Sequence, residues 1–434
     1  MPSLSDKLKS LGVKVGAQDL NPPRPEKHSA SSMDAILGGA PRPTPFGETY
    51  AIEKRFPLSQ AIGHARLALN APRHVIARWS GHPAAADLEM QAFAFIDTET
   101  TGLSLGVGTY AYLVSIGRFD AHDFHLAQFF LRDPAEEPAF LAAVEAFLAP
   151  CQAIVTYNGK TFDLPLLRTR FTAHGLSFPL QNIIHIDLLH LARRLWRDRL
   201  PERSLSYLEA HILGIERSTQ DVPGWMAPEI YFQYLQTGDP TVLSGILYHN
   251  AMDVLSLAAL LDHMSALLAD PLVEGSQHGV DLIAMGRLFE DLGDLETATR
   301  LYIHGLEHKD ALEMRLPRSV YLQALHRLAL IYKRQSNWEA AIQLWQEASR
   351  QRHLPAFIEL AKCYEHVLKD AQTALQWTQA AMEFLATTSP STGDAPPLGL
   401  YERRQWMGQL QRRMERLQQK LAGYTEVESD NNER

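Results

Sequence analysis

The stretch Ala92-Phe93-Ala94-Phe95-Ile96-Asp97 is an almost unbroken apolar run that ends on a carboxylate. A strand with one wet face alternates apolar and polar residues, so a continuous run fits a strand covered on both faces of a layered α/β sheet. The residues that follow add chemistry. Asp97 and Glu99 lie two apart, hence on one face of the strand. Like charges that close are unfavourable unless a cation sits between them or one carboxylate takes a proton. A hard divalent ion with oxygen ligands meets that need. Taken alone, an Asp-x-Glu is more often a pair of solvated loop charges.

The surrounding pattern extends the sheet. Tyr110 to Phe119 and Phe124 to Leu131 read as strands, Pro138 to Leu148 as a helix, and Ala153 to Tyr157 as a strand broken by Asn158-Gly159. Phe162 to His174 reads as a helix and Ile183 to Asp187 as a short strand. Helices then follow over Leu188 to Trp196, Leu205 to Leu213 and Leu243 to Leu260. The mixed stretch from Tyr50 to His82 supplies a helix and an edge strand or two. Residues 46–270 are therefore expected to form an α/β domain, a mixed central sheet flanked by helices. The Pro- and Ser-rich residues 1–45 read as a disordered leader.

Composition sets outer bounds. A chain of 434 residues exceeds one ordinary core. The content of 46% hydrophobic and 21% charged residues is globular. No apolar run is expected to reach the length of a membrane span, and the start has no signal-like core. Cys151 and Cys363 lie far apart without metal spacing, which points to a reducing, cytoplasmic compartment. A net charge of −9 argues against a general nucleic-acid sponge, but an acidic metal site is compatible with it.

More carboxylates fall in suggestive places. Asp163 follows the strand 153–157 at a strand-to-helix junction, where helix capping is its commonplace role. Asp253 sits in a helix between Met252, Val254, Leu255 and Leu257, so it is expected to need a buried partner. His249 is one turn earlier on the same face. Each has a plain packing role in isolation; a strand pair, a strand-end loop and a late helix together favour a metal-dependent nuclease.

Asp97-Thr98-Glu99-Thr100-Thr101-Gly102-Leu103 resembles the first motif of the DEDD (DnaQ-like) 3′–5′ exonucleases, within the ribonuclease H-like superfamily. Asn158-Gly159-Lys160-Thr161-Phe162-Asp163 resembles the second, and His249 to Asp253 the third, in the form of a YprB-like subgroup. The resemblance implies two Mg²⁺ or Mn²⁺ ions held by Asp97, Glu99, Asp163 and Asp253, with His249 as general base. It also implies substrate contacts from Thr100, Thr101, Leu103, Asn158 and Lys160, and single-stranded DNA or RNA as substrate. The third motif departs from the family. DEDD enzymes have Tyr four or His five residues before the last Asp, whereas this chain has His249 at four and Tyr248 at five. The alternative is a catalytically weak or inactive nucleic-acid-binding scaffold. Arg193, Arg194, Arg197, Arg199 and Arg203 are candidates for tracking a nucleic-acid backbone. Asp187 reads as a helix cap.

Residues 278–422 are helical and repetitive. Ala298, Ala341 and Ala374 recur at intervals of roughly 43 and 33, against ~34 for tetratricopeptide repeats, which the segment resembles. An insertion is expected near Lys309 to Pro317. Such an all-α solenoid implies a groove for a protein partner, whereas plain helical packing implies none. A capping helix is expected over Tyr401 to Leu421, and residues 423–434 as a disordered acidic tail.

Overall fold

The computed structural model of the protein describes residues 30–67, 72–102, 106, 108–274, 278–308, 315–387 and 399–432. They divide into two units. The first contains the chain up to Leu191 and Glu202–Ala266; the second contains Ala192–Pro201 and the chain from Leu267 onward.

The first unit opens with α1 (Ala30–Leu37), β1 (Ala40–Thr44), β2 (Gly47–Pro57), the small ribbon β3 (Ala61–Ile62) and β4 (Ala65–Arg66), and α2 (Arg73–Ser80). Next come β5 (Phe93–Thr100), β6 (Ala111–Phe119), β7 (Asp123–Phe130), α3 (Glu137–Leu148), β8 (Ala153–Thr156) and α4 (Asp163–Ala173). It closes with β9 (Ile184–Asp187), the start of α5 (Leu188–Trp196), α6 (Leu205–Leu208), α7 (Ala227–Thr237) and all but the last turn of α8 (Ser244–Ala269). Seven strands form one mixed sheet in the order β1-β2-β7-β6-β5-β8-β9. β5 runs parallel to β8, and β8 to β9, while the other pairs are antiparallel.

The sequence explains this arrangement locally. In the β6–β7 turn, Asp120 accepts hydrogen bonds from the amides of His122 and Asp123, both 2.9 Å, so a tight antiparallel reversal needs no other support. The β5-to-β8 connection must instead cross over, and α3 lies within it. Phe93 to Ile96 of β5 are fully buried, as a continuous apolar run requires. Burying each such aromatic or aliphatic side chain contributes about 1.5–3 kcal/mol. The Tyr112 and Tyr231 rings stack 4.1 Å apart. Tyr112 also donates to the Ala227 carbonyl at 2.8 Å, pinning α7 to β6. A Cβ on Gly117 of β6 would lie 2.7 Å from Val254 Cγ1, so the glycine is what lets α8 approach the sheet.

Three expectations need correction. The leader is not unstructured throughout: α1 and β1 occupy 30–44, and β1 pairs antiparallel with β2. Its prolines Pro41 and Pro43 sit on an edge strand, where a missing amide donor is tolerated. Residues 1–29 lie outside the described residues. One helical stretch, Pro240–Ala269, is long and apolar enough to cross a membrane by length and composition. However, 72% of its most apolar window is buried inside the protein, because α8 packs against its own sheet. The terminal helix does not stop near Leu421 but runs from Leu400 to Asn432, into the segment expected to be a tail.

The second unit is a succession of helices: α9 (Pro271–Glu274), α10 (Gly279–Asp291), α11 (Leu295–Glu307), α12 (Arg318–Arg334), α13 (Trp338–Arg350), α14 (Leu354–His366), α15 (Ala371–Thr387) and α16 (Leu400–Asn432). One capping device recurs. Asp294, Asn337 and Asp370 each accept from the amide three residues on, at 3.0, 3.3 and 3.0 Å. Ala298, Ala341 and Ala374 are each completely buried, so the small residues sit where neighbouring helices press closest. Residues 309–314, most of the expected insertion, lie outside the described residues. Two arginines of the segment after Asp187 are engaged in ion pairs. Arg193, Arg194, Arg197 and Arg199 belong to this unit, where Arg194 pairs with Asp291 at 2.6 Å and Arg199 with Asp281 at 3.0 Å.

Candidate active site

All four expected carboxylates line one cleft of about 530 Å³ in the first unit. Asp97 and Glu99 come from the end of β5, Asp163 is the first residue of α4, and Asp253 lies on α8. Thr98, Thr100, Gly102, Asn158 and His249 line the cleft as well. A parallel pair, β5 and β8, ends here, and a helix crosses beside it; that places side chains distant in sequence at one rim.

Asp97, Asp163 and Asp253 are each held by a specific partner. Asn250 Nδ2 donates to Asp97 Oδ2 at 2.5 Å. Asn250 is itself oriented, because its Oδ1 accepts from Ser115 and from Gln128, the latter at 3.3 Å. Gln128 also donates to the Leu247 carbonyl at 3.0 Å, tying α8 to β7. Thr98 donates its hydroxyl to Asp163. Asp253 accepts from Arg217, whose guanidinium also grips Glu209 at 2.6 and 2.7 Å. Glu209 is buried at 1% exposure, which makes this a fork-to-fork ion pair within the fold.

The electrostatics are those of charges with too little compensation. Burial pushes the Asp97 carboxyl well up, and the nearby Asp253, Asp163 and Glu99 push it further. Glu99 is raised by burial, then by Asp253 and Asp163, with Arg217 opposing. Burial raises Asp163 to about 6. Burial also raises Asp253, against the pull of Arg217 and His249. Among the described residues no three metal-type side chains are gathered closely enough to cage an ion as they stand. Asp97, Asp163 and Asp253 are instead engaged by Asn250, Thr98 and Arg217. The donor set nevertheless fits a hard divalent cation, being all carboxylate oxygen and raised in proton affinity by its own mutual charge. Asp97, Glu99, Asp163 and Asp253 are the residues that would hold it.

His249 lines the cleft with its Nε2 3.6 Å from Asp253 Oδ2. Its Nδ1 stands 2.9 Å from Asp221 Oδ1 and 2.9 Å from Arg217 Nη1. A proton on Nδ1 would be donated to Asp221 and leave Nε2 as the acceptor, whereas an unprotonated Nδ1 would accept from Arg217 and put the proton on Nε2. Tyr248 does not line the cleft; its hydroxyl accepts from the Ser218 amide at 3.1 Å. The histidine four residues before Asp253 is thus the one the fold presents.

The second motif is shaped by Asp187. Its carboxylate accepts from the amides of Asn158 at 2.8 Å, Lys160 at 3.1 Å and Leu189 at 3.1 Å. Asp187 therefore caps α5 and clamps the loop where Asn158 takes a φ of 65°. Gly159 fits only without a Cβ, which would meet the Thr156 side chain at 2.6 Å.

Some expected substrate contacts fall elsewhere. Thr101 does not line the cleft: its amide donates to the Tyr110 carbonyl and its hydroxyl accepts from the Tyr110 amide, each 2.9 Å, which closes the β5–β6 loop. Lys160 is exposed, beside the cleft rather than in its lining. Leu103 lies outside the described residues. Sequence reasoning did not single out Arg217, Glu209, Asp221 or Asn250 for the site. Asn250 carried a signal, as an amide in an otherwise apolar helix next to His249; Arg217 carried none.

A mixed sheet of this order, with paired carboxylates ending its central strand and a carboxylate on the late helix, defines a ribonuclease H-like domain. The RNase_H superfamily model RNase_H_2 matches residues 94–265, the segment from β5 through most of α8. The chain is also 31% identical over 411 residues to "Uncharacterized protein YprB" of Bacillus subtilis (strain 168), covering 89% of this chain and 95% of that protein. The chain belongs to the YprB family.

Proposed function

We propose that the protein is a metal-dependent 3′–5′ exonuclease that hydrolyses phosphodiester bonds of single-stranded nucleic acid. The observation that carries this reading is the delivery of Asp97, Glu99, Asp163 and Asp253 to one cleft by β5, α4 and α8. The RNase H superfamily match supports a nuclease. Bound Mg²⁺ or Mn²⁺, two ions in the DEDD arrangement, would supply Lewis-acid stabilisation of the phosphate and an acidified water. Asp97, Glu99, Asp163 and Asp253 are the residues that would hold the ions. Asn250 holds Asp97 in register, and His249 Nε2 takes the proton from the attacking water. A cytoplasmic location goes with this reading, in line with free thiols at Cys151 and Cys363. The helices of the second unit serve as tetratricopeptide-like repeats that recruit a protein partner.

A second reading, a weak or inactive nucleic-acid-binding scaffold, draws on Arg217 engaging Asp253. One assay decides between them. 5′-labelled DNA and RNA oligonucleotides are incubated with Mg²⁺ or Mn²⁺ and either the protein or Asp97→Ala. Stepwise shortening from the 3′ end that disappears in Asp97→Ala is the expected result. Absence of cleavage of both substrates by the unmodified chain overturns the enzyme reading.

A further inference from the structure

Arg217 reaches four side chains at once. Its Nε and Nη2 bracket the carboxylate of Glu209 at 2.6 and 2.7 Å, and Nη2 also donates to Asp253. Its Nη1 stands 2.9 Å from His249 Nδ1 and 3.4 Å from Asp221 Oδ1. A guanidinium has five N–H donors, and these contacts direct all of them at groups of the protein. Arg217 is also not among the residues that line the cleft. It is therefore placed to hold the site's own side chains rather than a substrate phosphate.

A guanidinium seated on a metal-binding carboxylate works against metal binding, because its charge repels the incoming cation. Glu209 answers that conflict. It is 1% exposed and turns both carboxylate oxygens on Arg217, so the two side chains together are neutral. Asp221 adds little to this balance, being farther away at 3.4 Å and 23% exposed, where solvent screens it. Asp253 thus gives Oδ1 to a charge-balanced partner and keeps its own negative charge, with Oδ2 3.6 Å from His249 Nε2. The backbone is shaped around this pair. Glu209 opens a π turn, Glu209–Leu213, and its carbonyl accepts from the Ile215 amide at 2.9 Å, two residues before Arg217. Such turns are rare and occur frequently at functional sites.

We propose that Glu209 and Arg217 form a neutral positioning pair: the arginine fixes Asp253 and His249, and the glutamate cancels its charge so that the site still takes up a divalent cation. This rests on the metal-dependent reading above and names two residues outside the cleft lining that set its ion affinity. Both act through Asp253 and His249.

The test reads the Mn²⁺ affinity of the full-length protein by electron paramagnetic resonance of free Mn²⁺, beside cleavage of a labelled oligonucleotide. Glu209→Gln keeps the shape of the side chain and leaves the Arg217 charge unbalanced. Mn²⁺ binding is expected to weaken about tenfold or more. Glu209→Gln combined with Arg217→Met removes both charges, and affinity is expected to recover to within about threefold of the unmodified chain. Cleavage by the double variant stays low, because Asp253 and His249 are no longer aimed. A merely structural pair gives the opposite order, with the double variant binding more weakly than the single one. Unchanged affinity in Glu209→Gln, or a double variant that binds no better than the single one, overturns the proposal. Should Glu209→Gln fail to fold, Arg217→Met and the double variant decide the point. The unbalanced glutamate of Arg217→Met is expected to tighten Mn²⁺ binding relative to the double variant, and equal or weaker binding overturns the proposal. If the proposal falls while the unmodified chain binds Mn²⁺ and cleaves, the nuclease reading stands. No Mn²⁺ binding together with no cleavage by the unmodified chain overturns both.

Discussion

Asn250, fully buried on α8, donates to Asp97 on β5 at 2.5 Å, joining the two elements that carry most of the site. Its Oδ1 is already taken by Ser115 and Gln128, so the amide can face Asp97 in one orientation. Asn250→Leu leaves Ser115, Gln128 and Asp97 with lost partners in a buried layer. A loss of about 1–3 kcal/mol in urea unfolding is expected, together with a fall in hydrolysis rate of at least tenfold. An unchanged rate in a folded Asn250→Leu protein would remove Asn250 from the site.

Asp97→Asn separates stability from activity. Asp97 is strained by burial and by three neighbouring carboxylates, so a neutral amide relieves repulsion while removing a ligand. The melting temperature without divalent ions is expected to rise at pH 7, and hydrolysis to disappear. The stabilisation that Mg²⁺ gives the unmodified chain should shrink in the variant. A lower melting temperature would contradict the charge conflict described here.

The pH dependence follows from the direction of the same shifts. Folding raises these carboxyls above their unfolded values, Asp163 to about 6, so the folded state holds more protons than the unfolded one between pH ~4 and ~6. Stability without metal therefore falls as pH rises through that window, and the deficit persists above it. Saturating Mg²⁺ should flatten the profile by taking the proton's place. Melting curves from pH 4 to 8 with and without Mg²⁺ check this; a metal-free contribution that grows from pH 4 to 6 would sink it.

Arg217→Met strips the buried Glu209 of its bidentate partner and frees Asp253. Leaving a buried charge uncompensated costs about 3–5 kcal/mol. Chemical denaturation should show a loss of that order. Arg217→Lys should recover only part of it, since an ammonium cannot make the paired fork contact. Full recovery by lysine would mean that charge alone matters at this position.

Gly117→Ala tests the approach of α8 to the sheet. The added methyl would meet the Phe124 ring at 2.2 Å and Val254 Cγ1 at 2.7 Å, and Phe124 is fully buried. Overpacking of this kind costs typically 1–3 kcal/mol. Because Val254 follows Asp253, hydrolysis should fall as well. Wild-type stability and activity in the variant would show that α8 yields without moving the carboxylate.

Local pattern carried much of the molecule. The apolar run of β5, the break at Asn158-Gly159 and the long apolar helix were legible because strand and helix periodicities are properties of neighbouring residues. Asp97 and Glu99 share a strand face, and His249 and Asp253 share a helix face, for the same reason. Misreadings came where composition stood in for packing. Pro41 and Pro43 suggested disorder, yet an edge strand accepts them. Spacing gave no sign either that Arg194 and Arg199, in the arginine run after Asp187, pair with acidic residues of the helical unit. Thr101 belongs to a motif, yet it closes a loop.

The sequence by itself determined which elements form and which carboxylates they carry, since both follow from spacing along the chain. Only the tertiary structure decided what those carboxylates meet: Asn250 against Asp97, Thr98 against Asp163, and Arg217 between Glu209 and Asp253. It also set Trp225 at the rim of their cleft. Such partners lie tens of residues apart on elements that come together only through packing of the core, and no periodicity records which polar groups that packing brings face to face.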